Sequence, residues 1–155
     1  LYMSMVLNSV VHNVWYKSGE VDSMIFKSDR HEQLYNQWKV EAKRYDVYHM
    51  ALFYLLALDR GTREHIEQLY DFETHSIKPE AIEAGWQTSG SMAVTRLAYN
   101  LFNNGMPTVW LYEGDVEGQL QESACYTVAD IFDNIEYAKY FWQAIQIRYP
   151  YLENC

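Results

Sequence analysis

The sequence is poor in the residues that build disulfide-stapled, collagen-like or low-complexity proteins. Its 155 residues include two cysteines, three prolines and seven glycines. Two cysteines are too few for a disulfide framework, so Cys125 and Cys155 are expected to be free thiols in a reducing compartment. No secretory signal pattern is present at the start, and the expected location is therefore cytoplasmic. Apolar residues make up 49% of the chain, which is enough to form a hydrophobic core.

Basic residues and long apolar runs are also scarce. The chain has 12 Lys and Arg residues against 21 Asp and Glu residues, which gives a formal net charge of −9. Proteins that bind a phosphate backbone need a positive surface, so direct binding of nucleic acid is not expected. No apolar run reaches the roughly 18–20 residues of a transmembrane helix, so a membrane is not an expected partner.

The apolar residues that are present recur with helical rather than strand periodicity. The pattern predicts helices over residues 29–44, 47–58, 62–70, 79–85, 91–103, 127–133 and 134–148. Residues 47–58 are apolar on every side, which is typical of the central helix of a bundle. At most one short strand or hairpin is predicted near residues 108–124. The sequence therefore predicts an all-α fold, a compact single-domain bundle of about seven to eight short helices.

The first 23 residues are predicted to form an amphipathic extension, and residues 24–155 a single helical domain. A helix over residues 3–16, ending before Gly19, is predicted to carry its apolar side chains on one face. The stripe consists of Met3, Val6, Leu7, Val10, Val11 and Val14. An exposed apolar stripe must be covered, either by the protein's own core or by a second chain. Self-association as a homodimer through residues 3–15 is the expectation.

Several helix boundaries and core positions follow from local patterns. Capping boxes are predicted at Asp29 with Glu32 and at Thr127 with Asp130, because each pair has the required spacing. Gly61 is predicted to end the central helix. Ser89 or Ser91 is predicted to cap the helix at residues 91–103. The predicted core includes Trp38, Phe53 and, on the last helix, Ile135, Ala138, Phe141, Trp142 and Ile145.

Motifs for catalysis and metal binding are absent from the sequence. His31 and Glu32 begin a zinc-binding H-E-x-x-H pattern, but Tyr35 stands where the second histidine is required. Cys125 has no identifiable base beside it, and no G-x-S-x-G nucleophile elbow occurs. The sequence therefore predicts no catalytic residue, no metal ligand and no cofactor, and the chain is not expected to be an enzyme.

Acidic charge is concentrated in one segment. From Glu113 to Ala138 the sequence has seven acidic residues and no Lys or Arg. They are Glu113, Asp115, Glu117, Glu122, Asp130, Asp133 and Glu136. A concentrated negative surface attracts a basic partner or imitates a nucleic-acid backbone, so these residues are predicted to bind a basic protein. The alternative is a solvated acidic loop that keeps the protein soluble.

A second candidate site precedes the helix at residues 91–103. The loop has a G-x-x-x-x-G pattern at a helix N-terminus, where anions bind readily, but the lysine of a phosphate-binding loop is missing. One interpretation is a small-ligand or anion-binding regulatory site. Its residues would be Trp86, Gln87, Thr88, Ser89, Ser91 and Arg96. The other interpretation is that the hydroxyl groups only cap the helix.

Several segments resemble DUF6075, a family of unknown function. They include IFKSDRH at 25–31, ALFYLL at 51–56, YDF at 70–72, and the stretch from 77 to 102 with GWQTSGS at 85–91. The resemblance covers roughly residues 24–149 and implies an origin in Firmicutes bacteria, their phages or mobile elements. It brings no activity. Together with the acidic cluster, it suggests a non-enzymatic inhibitor that binds a basic, nucleic-acid-binding host protein.

Overall fold

The computed structural model describes residues 14–17, 20–105, 108–110, 119–121 and 127–151, with side chains in 24–105 and 127–151. The α-helices of these segments are α1 (Asp29–Ala42), α2 (Val47–Leu56), α3 (Arg60–Glu64), α4 (Ile66–Leu69), α5 (Ser89–Asn103), α6 (Val128–Phe132) and α7 (Ala138–Arg148). A 3₁₀ helix spans Pro79–Glu83. The predicted helical fold and its number of helices are confirmed.

Three short antiparallel strand pairs accompany the helices in the described segments. The pairs are β1 (Val14–Lys17) with β2 (Glu20–Ser23), β3 (Tyr70–Asp71) with β4 (Ser76–Ile77), and β5 (Thr108–Trp110) with β6 (Gln119–Gln121). The third pair, in which Val109 lies opposite Leu120, is the hairpin predicted near 108–124. The other two pairs lie outside that prediction, because runs of two to four residues are too short to show a period of two.

Helix α2 lies at the centre of the core. Every residue from Ala51 to Leu58 is at most 1% exposed, and α2 packs against α1, α5 and α7. The helix is capped by Asp46, whose carboxylate accepts the backbone N–H groups of Tyr48 and His49. The predicted central helix is therefore confirmed, since only a helix surrounded by others buries apolar side chains on all its faces. It ends at Leu56 rather than at residue 58, and Ala57 and Leu58 form a buried turn.

Helix α5 supplies the second large apolar face. The predicted stripe is buried at Val94, Leu97, Ala98 and Leu101. Tyr99 is fully buried as well, and its hydroxyl donates to the carbonyl oxygens of Leu69 and Lys78 at 2.8 and 2.9 Å. These two bonds satisfy the buried hydroxyl and join α5 to α4 and to the segment after β4.

Two of the predicted helix caps are wrong by one or a few residues. The cap of α1 is Ser28, which is extended and accepts the backbone N–H of His31. Asp29 is already helical and cannot fill that position. The cap of α5 is Thr88 rather than Ser89 or Ser91. An N-cap residue needs an extended backbone and a side-chain oxygen that accepts a backbone N–H from the first turn of the helix. Neighbouring Ser and Thr residues all carry such an oxygen, so residue type alone does not show which of them is the cap. The capping box of Thr127 with Asp130 is confirmed.

The helix predicted over 62–70 is divided in two. Asp59 caps α3 by accepting the N–H of Gly61, so Gly61 lies inside a helix rather than ending one. His65, with φ −120° and ψ 26°, separates α3 from α4. The chain then becomes extended, because Tyr70 pairs with Ile77 in a two-residue ladder that sequence periodicity does not show.

The end of the predicted N-terminal helix is a strand. Val14 to Lys17 pair with Glu20 to Ser23, so this part of the predicted helix over 3–16 is wrong. β-Branched valines favour extended backbone. The helix was predicted because the apolar residues have helical spacing, and here the preference of the valines prevails. Residues 1–13 lie outside the described residues. The stripe from Met3 to Val11 and the homodimer contact through residues 3–15 therefore stay predictions.

Two residues of the predicted core are exposed instead. Ile135 is 88% exposed and Trp142 is 59% exposed, whereas Trp38 and Phe53 are buried as predicted. Helix α7 begins at Ala138 and not at 134, which leaves Ile135 outside the helix, and the face of α7 that packs against the core does not include Trp142. The buried apolar residues of α7 are Tyr140, Phe141, Ala144 and Ile147. Trp142 is not among them, and Ile135 belongs to the turn before the helix.

His31 joins α1 to α2 through one ring nitrogen and to the segment before α1 through the other. Its Nδ1 accepts the backbone N–H of Lys27 at 3.1 Å, and its Nε2 lies 2.7 Å from the carbonyl oxygen of Tyr54. These partners assign the neutral tautomer that carries its proton on Nε2. Burial lowers the pKa of His31 to about 4, although the bond to the Tyr54 carbonyl opposes that shift.

Removal of a side chain from α2 should destabilise the whole domain. Leu55 is fully buried, so Leu55→Ala is expected to lower the free energy of unfolding by about 2–5 kcal/mol. Val40 is 63% exposed on α1, and Val40→Ala should change it by about 0.5 kcal/mol or less. Urea denaturation measures both values. Equal losses in the two variants would contradict the central position of α2.

His31 should make stability depend on pH. The unfolded chain protonates this residue near its ordinary pKa of 6.5, whereas the folded chain keeps it neutral down to about 4. Its stabilising effect is therefore complete above pH 6.5 and is lost as the pH falls toward 4. The slope it adds is at most about 1.4 kcal/mol per pH unit. Urea midpoints between pH 7 and 5 should fall less steeply for His31→Gln than for the unsubstituted protein; parallel slopes would contradict this role.

Candidate functional site

The predicted ligand loop is held together by bonds among its own side chains. Ser91 N–H donates to Thr88 Oγ1 at 3.2 Å, and Thr88 N–H donates to Ser91 Oγ at 2.8 Å. Ser91 Oγ in turn donates to Gln87 Oε1 at 2.7 Å. The amide of Gln87 donates to the Ala81 carbonyl and to Thr95 Oγ1. These contacts support the capping interpretation, because the polar groups of the loop already bind one another.

Trp86 is fixed against the preceding helices. Its ring stacks on the imidazole of His65 with the centroids 4.2 Å apart and the planes 3° from parallel. Its indole N–H donates to Gln68 Oε1 at 2.9 Å. Both partners lie at the junction of α3 and α4. Trp86 therefore fastens the loop to that junction.

The start of α5 packs against the turn that precedes α7. A Cβ atom on Gly90 would lie 3.6 Å from both Asn134 and Tyr137 and 3.9 Å from the carboxylate of Asp59. Asp59 Oδ2 accepts the hydroxyl of Tyr137 at 2.7 Å. Burial, and next the bond to Asp59, raise the pKa of Tyr137. A carboxylate thus lies near the helix start where the anion-site interpretation requires a ligand.

Three of the seven predicted partner-binding acids are described, and all three are exposed. Asp130 closes the cap of α6: hydrogen bonds from Thr127 lower its pKa, and the positive charge of Arg96 lowers it further. Asp133 ends α6, and Glu136 Oε1 bonds to Lys27 Nζ at 2.5 Å. The other four acids, Glu113, Asp115, Glu117 and Glu122, lie outside the described residues. The structure thus places Arg96 within electrostatic reach of Asp130.

Exposed apolar side chains occur among these acids. We call residues 127–142 the α6–α7 segment. Val128 is 73% exposed, Ile135 is 88% exposed and Trp142 is 59% exposed. The apolar pattern of the sequence predicts Ile135 and Trp142 to be core residues and does not show that they lie on the surface. The sequence does contain one indication that Ile135 is exposed, because Asp133 and Glu136 flank it and charged neighbours oppose its burial.

A buried polar cluster lies on the opposite end of α2 from His31. His49 Nδ1 is 2.8 Å from Asp46 Oδ2, a contact that orients the imidazole. Its Nε2, the hydroxyl of Tyr70 and Nδ1 of His75 are buried without a hydrogen-bond partner among the described residues. The His49 centroid lies 5.9 Å from that of Tyr70 and 6.5 Å from that of His75. Burial raises the pKa of Tyr70 to about 12.

Neither a metal centre nor a membrane anchor is found in the described part of the chain. Within it, no three His, Cys, Asp or Glu side chains are grouped so as to hold a metal ion. None of its helices has the length and apolar character needed to span a bilayer.

Fold and surface together define a mostly α-helical domain with an acidic, partly apolar segment near its C-terminal end. Over residues 21–154 the chain matches the model of a family of unknown function, DUF6075, and it belongs to that family. The resemblance noted in the sequence is thereby confirmed. No curated protein and no solved structure gives a significant match to the chain.

The capping role of Thr88 is testable against its neighbour. Thr88→Ala removes the acceptor of the Ser91 N–H and should lower the free energy of unfolding by about 1 kcal/mol. Ser89 is exposed at the start of the helix, and Ser89→Ala should have little effect. Thermal or urea denaturation distinguishes the two. A larger loss in Ser89→Ala would contradict the assignment of the cap.

Proposed function

We propose that this chain is a non-enzymatic interaction domain that binds a basic protein through its α6–α7 segment and the acidic stretch that precedes it. The observation that supports this most directly is the exposure of Ile135, which lies between Asp133 and Glu136 in the chain, together with the exposure of Trp142 on α7. Exposed aromatic and apolar groups surrounded by charge are typical of protein interfaces.

Trp142 is suited to be the main contact residue. Tryptophan is among the residues that contribute most to binding when they become buried at an interface. Its neighbours Phe141 and Ala144 are fully buried, so α7 is fixed to the core. Because the helix is rigid, the exposed indole is presented with little loss of conformational freedom on binding.

The charge of the segment favours a basic partner. The sequence from Glu113 to Ala138 holds seven acidic residues and no Lys or Arg. The contact of Glu136 with Lys27 is exposed, with 67% of the Glu136 side chain accessible. Exposed ion pairs contribute about 0–1 kcal/mol, so a cation of the partner competes readily for Glu136. Acidic residues would raise the rate of association, and the apolar residues would prolong the complex.

A more specific version of this proposal is that the chain is an inhibitor, the role suggested by the family resemblance. A nucleic-acid-binding protein has a surface rich in Lys and Arg, and an acidic segment that covers it would compete with nucleic acid. Competition gives the proposal a direct readout, since duplex DNA and this chain should exclude each other from the partner. Both should also bind more weakly as salt increases.

Paired variants test the proposal. The protein, immobilised at low salt, is exposed to lysate of the source cells, and the retained proteins are identified by mass spectrometry. A basic protein should be retained, released by high salt or by duplex DNA, and lost with Ile135→Ser/Trp142→Ser. A second variant, in which Glu113, Asp115, Glu117 and Glu122 become Gln or Asn, should also lose it while keeping its helicity.

Val40→Ser provides the matched control. Val40 is 63% exposed on α1, so the substitution removes an exposed apolar side chain from another part of the surface. It should retain the partner fully. Retention that is unchanged in both the Ile135/Trp142 and the four-acid variants, or lost equally in Val40→Ser, would overturn the proposal.

A further inference from the structure

A positively lined cavity lies between α1 and the α3–α4 pair, outside the α6–α7 segment. Its volume is about 580 Å³. The residues that line it are Arg30, Leu34, Trp38, Arg60, Arg63, Glu64 and Ile66. Cavities of about 300–1,000 Å³ are the usual size for small-molecule sites.

The charge of this cavity is opposite to that of the whole protein. Three arginines and one glutamate line it, whereas the chain carries a formal charge of −9. Arg30 lies in the first turn of α1, and Arg60 and Arg63 lie on α3. Three guanidinium groups around one concavity make the local electrostatic potential positive, and a positive potential attracts anions. The carboxylate of Glu64 balances only one of these three positive charges.

Arg63 is held in place by the end of the central helix. Its Nη1 donates to the carbonyl oxygens of Ala57 and Leu58, both at 3.1 Å. These carbonyls follow the C-terminus of α2, where a cation is favourable because the helix dipole is negative there. The bonds use one of the terminal nitrogens, and the guanidinium group has further N–H donors.

Arg60 and Arg30 are more exposed. Arg60 Nε donates to Glu64 Oε1 at 2.7 Å, with 82% of the arginine side chain accessible. Arg30 Nη1 donates to Gln33 Oε1 at 2.8 Å on the surface. Each of these bonds is local to one helix and leaves further N–H donors on the guanidinium group. Arginine is suited to bind carboxylate and phosphate groups because its donors match two oxygen atoms at once.

The remaining wall is apolar. Leu34 and Trp38 are about 5% and 4% exposed, and Ile66 packs against the same core from α4. Ile66 is partly exposed, so an apolar group that covers it displaces water favourably. A guanidinium rim over an apolar wall matches a molecule with a charged end and an apolar end.

We infer that this cavity binds a small organic anion in which a carboxylate or a phosphate ester is joined to an apolar body. Arg30 and Arg60 bind the oxyanion, Arg63 contributes fixed positive charge, and Leu34, Trp38 and Ile66 contact the apolar part. Glu64 opposes the ligand, because its carboxylate competes for Arg60. The inference concerns a different surface from the α6–α7 segment and does not depend on it.

Calorimetric titration with defined probes tests the ligand class. The probes are octanoate and phenyl phosphate, with inorganic phosphate and acetate as anions without an apolar body and 1-octanol as an apolar body without charge. Octanoate or phenyl phosphate should bind, and the three partial probes should bind at least about tenfold more weakly. Binding of inorganic phosphate as tight as that of phenyl phosphate would overturn the role of the apolar wall.

Substitutions at the rim test the site. Arg30→Gln and Arg60→Gln change exposed side chains, so the protein should fold normally while its affinity for the bound probe falls by about tenfold. Glu64→Gln should raise the affinity, a gain that a purely structural role for Arg60 does not predict. Arg96→Gln removes the same charge elsewhere and serves as the control.

Three results would overturn the inference. They are no binding of octanoate or phenyl phosphate at millimolar concentration, unchanged affinity in Arg30→Gln/Arg60→Gln, and a loss in Arg96→Gln as large as in the rim variants. The last result would move the site to the loop at 85–91. Thermal denaturation of every variant, measured without a probe, separates lost binding from lost folding.

Discussion

Burial of α2 on all sides is the constraint on which the rest of this structure depends. An α-helix leaves its last carbonyl groups without partners, and in a buried helix the protein must supply them. The hydroxyl of Thr62 donates to the Leu56 carbonyl at 2.7 Å, and Arg63 donates to Ala57 and Leu58. Both donors lie on α3, the helix that comes next after α2 in the chain. At the other end, Asp46 caps the helix and also orients His49.

Polar side chains in this domain divide into those that complete the fold and those that face solvent. The loop at 85–91 belongs to the first group, because Gln87, Thr88 and Ser91 bond to one another at the start of α5. The acids of the α6–α7 segment and the arginines of the cavity belong mostly to the second. A hydroxyl-rich loop before a helix is thus a weak indication of a ligand, since a helix start needs such groups for its own N–H donors.

Long helices with a regular apolar stripe were predictable, and their ends were less so. Residues 47–58 and the stripe of α5 follow directly from apolar periodicity. The exposure of Ile135 did not follow, because it depends on α7 beginning at Ala138. The exposure of Trp142 did not follow either, because it depends on which face of α7 packs against the core. A shift of four residues in a helix start decides whether the residues before it extend the helix or form a turn. The seven acids were visible in the sequence, whereas the apolar residues exposed among them were not.

Composition and periodicity by themselves determined the helical class, the central helix and the acidic segment, because these depend on residues close together in the chain. Tertiary structure alone decided which charges meet. Arg30 comes from α1 and Arg60 and Arg63 from α3, and packing of both helices beside α2 brings them to one cavity. His49, Tyr70 and His75 were likewise brought together from separate elements. Such groupings depend on how helices pack, and the spacing of residues along a chain carries little information about contacts between distant segments.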